Sequence, residues 1–117
     1  MDCRLVSFGE IEVDGQRFEH DVVIYGDRVR RRKKGPSKPH RAHYGHTPLT
    51  AEERIPWPAR TLIVGTGVNG QLPIAPDLYE EAARREVEVV AKPTAEACQL
   101  VEAADPGTTA AILHVTC

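Results

Sequence analysis

The stretch Thr61-Leu62-Ile63-Val64-Gly65-Thr66-Gly67-Val68-Asn69-Gly70 closes an apolar run with the pattern Gly-x-Gly-x-x-Gly. Glycines at that spacing let a backbone turn tightly and approach a pyrophosphate, provided a helix opens at the third glycine and aims its free N–H groups at the charge. The flanking residues do not complete this device. Six residues, Gln71 to Pro76, separate Gly70 from the next helix signal, and two of them are proline. The following strand signal ends in Val90-Ala91-Lys92, where a ribose-binding acid is required. No Gly-Lys-Ser/Thr ending marks a phosphate loop either. No dinucleotide, and no cofactor of any kind, is therefore expected. Two readings of the glycines remain. They let a second backbone come close, or they form an amide nest, the site of a ligand-binding protein or weak enzyme, for a small anion or small ligand held by Gly65, Thr66, Gly67, Lys92 and Thr94.

His20-Asp21, His114 and Cys117 are the residue types of a base-assisted thiol nucleophile. Adjacent strand residues point to opposite faces, however, so His20 and Asp21 do not form one pair. Cys117 has no following segment to lock it in place, which a nucleophile requires. No catalytic residue is assigned, and His114 reads as a half-buried strand residue satisfied by hydrogen bonds. His40, His43 and His46 recur every third position, but Pro39, Gly45 and Pro48 break the helix that would align them, so no metal site is expected. The cysteines Cys3, Cys98 and Cys117 are odd in number and widely spaced. Without a Cys-x-x-Cys pair they imply reduced, partly buried thiols rather than zinc or a disulfide framework.

The third chemical feature is charge. The segment from Arg28 to His46 holds eight of the chain's 15 basic residues and none of its 17 acidic ones: Arg28, Arg30, Arg31, Arg32, Lys33, Lys34, Lys38 and Arg41. A cationic island on an otherwise acidic chain suits an acidic protein surface. It also suits nucleic acid through counterion release, although the aromatics Tyr44 and Trp57 are sparse and not interleaved with the charges.

These residues need elements to position them. At 117 residues the chain is read as one domain, 1–117, with an ordinary core. No apolar run is long enough to span a bilayer. The start Met1-Asp2-Cys3-Arg4 lacks a signal-peptide pattern, so a cytoplasmic protein is expected. Ile11-Glu12-Val13, Asp14-Gly15 and Gln16-Arg17-Phe18 spell a hairpin with a type I′ turn. Asp21 to Tyr25 predicts a further strand, with Gly26-Asp27 turning into Arg28-Val29-Arg30. Residues 31 to 49, with few apolar side chains, predict a mobile solvated loop. Thr50-Ala51-Glu52-Glu53 fits a capping box that starts a short helix.

The last half alternates β-α-β-α-β. Strands are predicted at Thr61 to Val64, Val87 to Val90 and Ala110 to Val115. A helix runs from Pro76 to Arg85, and a second is capped by Thr94, with Ala97, Leu100, Val101 and Cys98 facing inward. Crossovers of this length favour parallel strands. The three strand exits at Gly65, Lys92-Pro93-Thr94 and Thr116-Cys117 then share one edge, where open α/β sheets bind ligands. The fold class is α/β, three-layer, with a mixed central sheet, N-terminal antiparallel hairpins and a C-terminal β-α-β-α-β unit.

Five stretches in order carry a resemblance. They are Ser7-Phe8-Gly9 before the Asp14-Gly15 hairpin, His20-Asp21-Val22-Val23-Ile24, Leu62-Ile63-Val64-Gly65-Thr66-Gly67, Thr94-x-x-Ala97, and Leu113-His114-Val115-Thr116-Cys117. Over nearly its whole length the chain resembles the Mth-nine-three-eight-like family, whose relatives include a mitochondrial complex I assembly factor and an adipogenesis-associated protein. The resemblance implies a mixed central sheet with helices on one side and an added β layer. It brings no established enzyme activity and no known cofactor, and it points to a non-enzymatic interaction or assembly role. The basic loop and Ile55-Pro56-Trp57-Pro58, which curtails the helix after Thr50, depart from the family pattern on the expected surface.

Overall fold

The computed structural model describes residues 1–117. Strands β1 (Cys3–Ser7), β2 (Glu10–Val13) and β3 (Gln16–Phe18) form a small antiparallel sheet. The β2–β3 hairpin turns through Asp14 at φ 49° and Gly15 at φ 81°, the two positive values a type I′ turn demands. A second sheet has five strands in the order β5 (Arg28–Arg31), β4 (Val22–Tyr25), β8 (Thr109–Leu113), β6 (Thr61–Gly65) and β7 (Glu88–Lys92). The β4 strand pairs antiparallel with β5 and β8, while β6 is parallel to both β7 and β8.

Two helices cover the large sheet, one on each face. Helix α2 (Pro76–Arg84) joins β6 to β7, and α3 (Thr94–Ala103) joins β7 to β8. The first crossover steps outward to the sheet edge; the second steps back past β6 to reach β8. Both being right-handed, steps in opposite directions put their helices on opposite faces. Placement of all helices on one side, implied by the family resemblance, is therefore corrected: α3 shares a face with the small sheet and α2 lies across the large sheet.

Strand alternation supplies the two cores. Val22, Ile24, Ile63, Ala111 and Leu113 point to one side and pack with Ile11 and Val13 of the small sheet and with Ala97, Cys98 and Val101 of α3. Val23, Leu62, Val64, Ala110 and Ile112 point to the other and meet Leu78 and Ala82 of α2 together with Leu49, Ile55 and Leu72 from the connections. The inward stripe of α3 is Thr94, Ala97, Cys98 and Val101, a spacing of three, four and seven. Leu100, expected inside, falls off that stripe and is exposed. No helix is long and apolar enough to cross a membrane.

Three further expectations are overturned. The 31–49 segment is folded: Arg31 ends β5, a 3-10 helix follows over Gly35–His40, and a single α-turn, α1 (Arg41–Tyr44), comes next. Its anchors are Arg32, Ser37, Pro48 and Leu49, all buried. The capping-box sequence at Thr50 starts no helix. Glu53 turns inward to an ion pair, a partner worth more than the backbone amide it was expected to cap. Thr94 is the first residue of α3 rather than its cap, and its hydroxyl serves a bond across the sheet instead.

Candidate functional site

The polar centre of the molecule lies where β4 begins, β5 ends and β8 exits. The register pairs Val22 with Leu113, so the next pair outward, beyond both strands, brings Asp21 level with His114. His114 Nδ1 lies 2.8 Å from Asp21 Oδ2, and the Val115 amide donates to Asp21 Oδ1 at 2.9 Å. The Thr116 hydroxyl sits 3.1 Å from the other imidazole nitrogen. His114 is thus bonded on both ring nitrogens, as the sequence suggests.

Arg32 extends this chain inward. Its guanidinium donates to Asp21 Oδ2 at 3.0 Å, to both oxygens of Glu53 at 2.8 and 2.7 Å, and to the Pro48 carbonyl at 3.0 Å. The Ser37 hydroxyl donates to Glu53 Oε2 at 2.5 Å and lies 2.8 Å from the Thr50 hydroxyl. No buried side-chain polar atom lacks a partner. Burial alone raises an acid's pKa, but the bond to His114, the Val115 amide and the Arg32 charge outweigh it and hold the Asp21 carboxyl at about 2. For Arg32 burial works against the charge, yet Glu53 and Asp21 raise its pKa above the ordinary value. The arrangement is a satisfied buried ion network that ties the basic segment to the sheet.

Beside this network is a hollow of about 200 Å³ whose lining includes Arg32, Lys34, Arg41, His46, His114, Thr116 and Cys117. No carboxylate side chain lines it. Lys34 and Arg41 are exposed and form no ion pair within the chain. The remaining basic residues scatter. Arg30 donates to the Arg54 carbonyl at 2.5 Å, and with Arg28 it borders a different hollow beside Val23 and Pro56. Arg31 borders an adjoining one, which it shares with Arg32, Lys34, His20 and Glu19. Lys33 and Lys38 are exposed. Of the eight-residue island, Arg32, Lys34 and Arg41 line the cationic hollow, and of these Arg32 is already paired. The aromatics lie apart: Trp57 is covered by the Arg85 guanidinium at 5.3 Å, and Tyr44 meets His43 edge-on.

The glycine loop is filled by the chain itself. The amides of Val68 and Asn69 donate to the main-chain oxygens of Thr116 and Cys117 at 2.7 and 3.1 Å, and Gln71 donates to Cys117 at 3.1 Å. The Gly67 amide donates to Thr94 Oγ1 at 2.8 Å, and that hydroxyl donates to the His114 carbonyl at 2.6 Å. The Thr66 amide uses the Lys92 carbonyl, while the Lys92 side chain is exposed. At Gly67 φ is +110°, and a Cβ there would lie 2.6 Å from the Thr116 oxygen. At Gly65 a Cβ would lie 2.8 Å from Thr94 Oγ1. The close-approach reading of the glycines is the one the geometry follows. Cys117, expected to be unsupported, is held by two loop amides.

In the sequence Asp21, His114 and Arg32 stand apart, and no local pattern joins them. The missing signal is the β4–β8 register, which no local pattern carries. Local pattern gives Glu53 a helix-cap role because its partner, Arg32, lies 21 positions away.

This sheet order, the paired Asp21 and His114 and the self-filled glycine loop can be set beside known proteins. Residues 4–102 match the model of a family described as "Protein of unknown function (DUF498/DUF598)". The chain belongs to that family. A conserved hypothetical protein, PH1505 from Pyrococcus horikoshii OT3, is 35% identical over the whole of both chains, with a TM-score of 0.83. The protein MT938 is 26% identical, covering all of this chain and 96% of its own, with a TM-score of 0.68. These two agree with the Mth-nine-three-eight-like resemblance in the sequence. An outer membrane protein from Bartonella henselae, 12% identical over 98% of this chain and 94% of its own, shares the fold alone, with a TM-score of 0.66. No curated protein matches the chain.

Proposed function

We propose that this member of the DUF498/DUF598 family is a cytoplasmic, non-enzymatic interaction module that takes an acidic side chain of a protein partner into the hollow between Lys34, Arg41 and His46. The supporting observation is the lining: cationic and imidazole groups with no carboxylate side chain, two of the cations unpaired. Arg32 is already committed to Asp21 and Glu53, so the free charges are available to an incoming carboxylate. A rigid floor supports them, because the network under Arg32 fixes the segment that carries Lys34. The small-ligand alternative moves with this geometry: a free carboxylate or phosphate suits Lys34 and Arg41 better than a glycine loop whose amides already serve the chain's own oxygens.

The test is fluorescence anisotropy with a labelled Glu-rich peptide. Replacing Lys34 and Arg41 together by Ser is expected to weaken binding at least tenfold, whereas Arg28→Ser leaves it unchanged. Equal losses for both variants would reduce the effect to net charge. Tighter binding of single-stranded RNA, with a steep fall in affinity as salt rises, would replace the protein partner by nucleic acid.

A second reading rests on the order Asp21, His114, Thr116, which is that of a base-activated hydroxyl. Hydrolysis of an activated ester that disappears in both His114→Gln and Thr116→Val would favour it. Turnover surviving in either variant would remove it.

A further inference from the structure

Cys3 and Cys98 stand 95 positions apart in the chain, yet their sulfurs lie 2.8 Å from one another in the layer between β1 and α3. The sequence gives no hint of this, because neither residue belongs to a short-spaced pair. Two elements bring them together. The β1–β2 register sets Cys3 opposite Val13 on the buried face of the small sheet, and the α3 stripe aims Cys98 at the same spot. Both residues are buried. They are nevertheless reachable, since they form part of the lining of an open hollow of about 490 Å³ whose other walls include Arg4, Glu12, Gln99 and Glu102.

The two thiols are not equivalent. Cys3 donates its S–H to the Cys98 sulfur. That bond and burial push the Cys3 pKa up, while the same bond lowers that of Cys98. Cys98 is the better thiolate and so the better nucleophile. Glu102, whose carboxylate accepts from the Cys3 amide at 3.3 Å, fixes the end of β1 against α3 and keeps the sulfurs apposed.

We propose that Cys3 and Cys98 are a dithiol redox site that a small peroxide closes to a disulfide, joining the small sheet to α3. The Cys98 thiolate attacks one oxygen of hydrogen peroxide and breaks the O–O bond. A sulfenic acid forms, and the departing hydroxide becomes water by taking the Cys3 proton. The Cys3 sulfur then attacks the Cys98 sulfur and displaces its hydroxyl, which leaves as a second water with the proton Cys98 gave up on ionising. Two thiols and one peroxide yield one disulfide and two waters, two electrons passing from sulfur to oxygen. The sulfurs must approach to a bonded distance of about 2.0 Å, a shift smaller than a bond length. Cys117 lines the cationic hollow instead and takes no part.

The experiment uses the full chain carrying Cys117→Ser, so that only the two thiols of interest remain. One equivalent of hydrogen peroxide is expected to lower the intact mass by two hydrogens and the thiol count under denaturing conditions from two to none. A peptide joining residue 3 to residue 98 should appear on digestion, and Tm should rise by at least about 5 °C. Reduction should reverse all of these. In Cys3→Ala the reaction should stop at a sulfenic acid on residue 98 that dimedone traps; in Cys98→Ala no sulfenic acid should form. Two thiols persisting after peroxide, or crosslinks only between chains, would overturn the proposal. Wild-type protein mapped in the same way gives the answer even where a single variant is too unstable to purify.

Discussion

The glycine loop and the basic segment meet at the exit of β8, and each inverts what its residues advertise. The Gly65–Gly70 loop has the spelling of a ligand cradle, yet its amides hold Thr116 and Cys117 of its own chain. The Arg28–His46 segment has the composition of a solvated tether, yet Arg32 and Ser37 bury in it and pin it through Glu53 and Asp21. Glycine spacing reports how closely something approaches the backbone, without saying what. A run of positive charge reports average solvation, without saying which member finds a partner. In both regions a residue distant in sequence decides: Thr116 for the loop, Glu53 for the segment.

This contrast makes the buried arginine the most sensitive position of the two regions. Arg32→Met leaves Asp21 and Glu53 buried without their counter-charge and is expected to cost about 3–5 kcal/mol in urea unfolding. Its exposed neighbour Arg31→Met should cost under about 0.5 kcal/mol. Similar losses at both would mean that the segment is held by charge density rather than by one ion network.

In the loop, Gly67→Ala combines a backbone at φ +110° with a collision against the 116–117 backbone. About 2–4 kcal/mol of destabilisation is expected, measurable by thermal or urea unfolding. The same change at Gly70, whose φ is +68° but whose Cβ would meet nothing closer than 3.5 Å, should cost only its backbone strain, about 1 kcal/mol. Equal costs at the two positions would argue that conformation, and not close approach, fixes the loop.

Acid distinguishes the regions next. Asp21 is held at about 2, below the ordinary 3.8 for the unfolded chain, so the folded state binds fewer protons in that range. Its contribution is fully present above about pH 4 and lost as pH falls through 2, about 2 kcal/mol in all. Asp21→Asn should lower stability near neutral pH and flatten that acid limb; an unchanged limb would assign the acid sensitivity to other groups. The smallest stability effect belongs to Lys34→Ser with Arg41→Ser, expected below about 0.5 kcal/mol because neither side chain is buried or paired. A larger loss would give these two residues a scaffolding role.

Much of the fold was legible in local pattern. The Asp14-Gly15 turn, the Val22–Tyr25 run, the Pro76 helix start and the β-α-β-α-β alternation each depend on residues within one or two turns of each other, and each appears where its residues place it. The candidate site was legible only in fragments. Asp21, His114, Arg32 and the glycines were visible one at a time, and Thr94 was assigned a local cap because its true acceptor, the His114 carbonyl, is 20 positions away. Glu53 likewise finds its partner, Arg32, far along the chain.

By itself, then, the sequence determined the β2–β3 hairpin, the β-α-β-α-β alternation with its parallel crossovers and the cationic excess of one segment, because helix period, strand alternation, turn conformation and charge are properties of neighbours in the chain. Only the tertiary structure decided which arginine is buried, what fills the glycine loop, which partner His114 takes and that Cys3 faces Cys98. Those outcomes are set by strand register and crossover handedness, which bring together side chains that no short-range pattern relates.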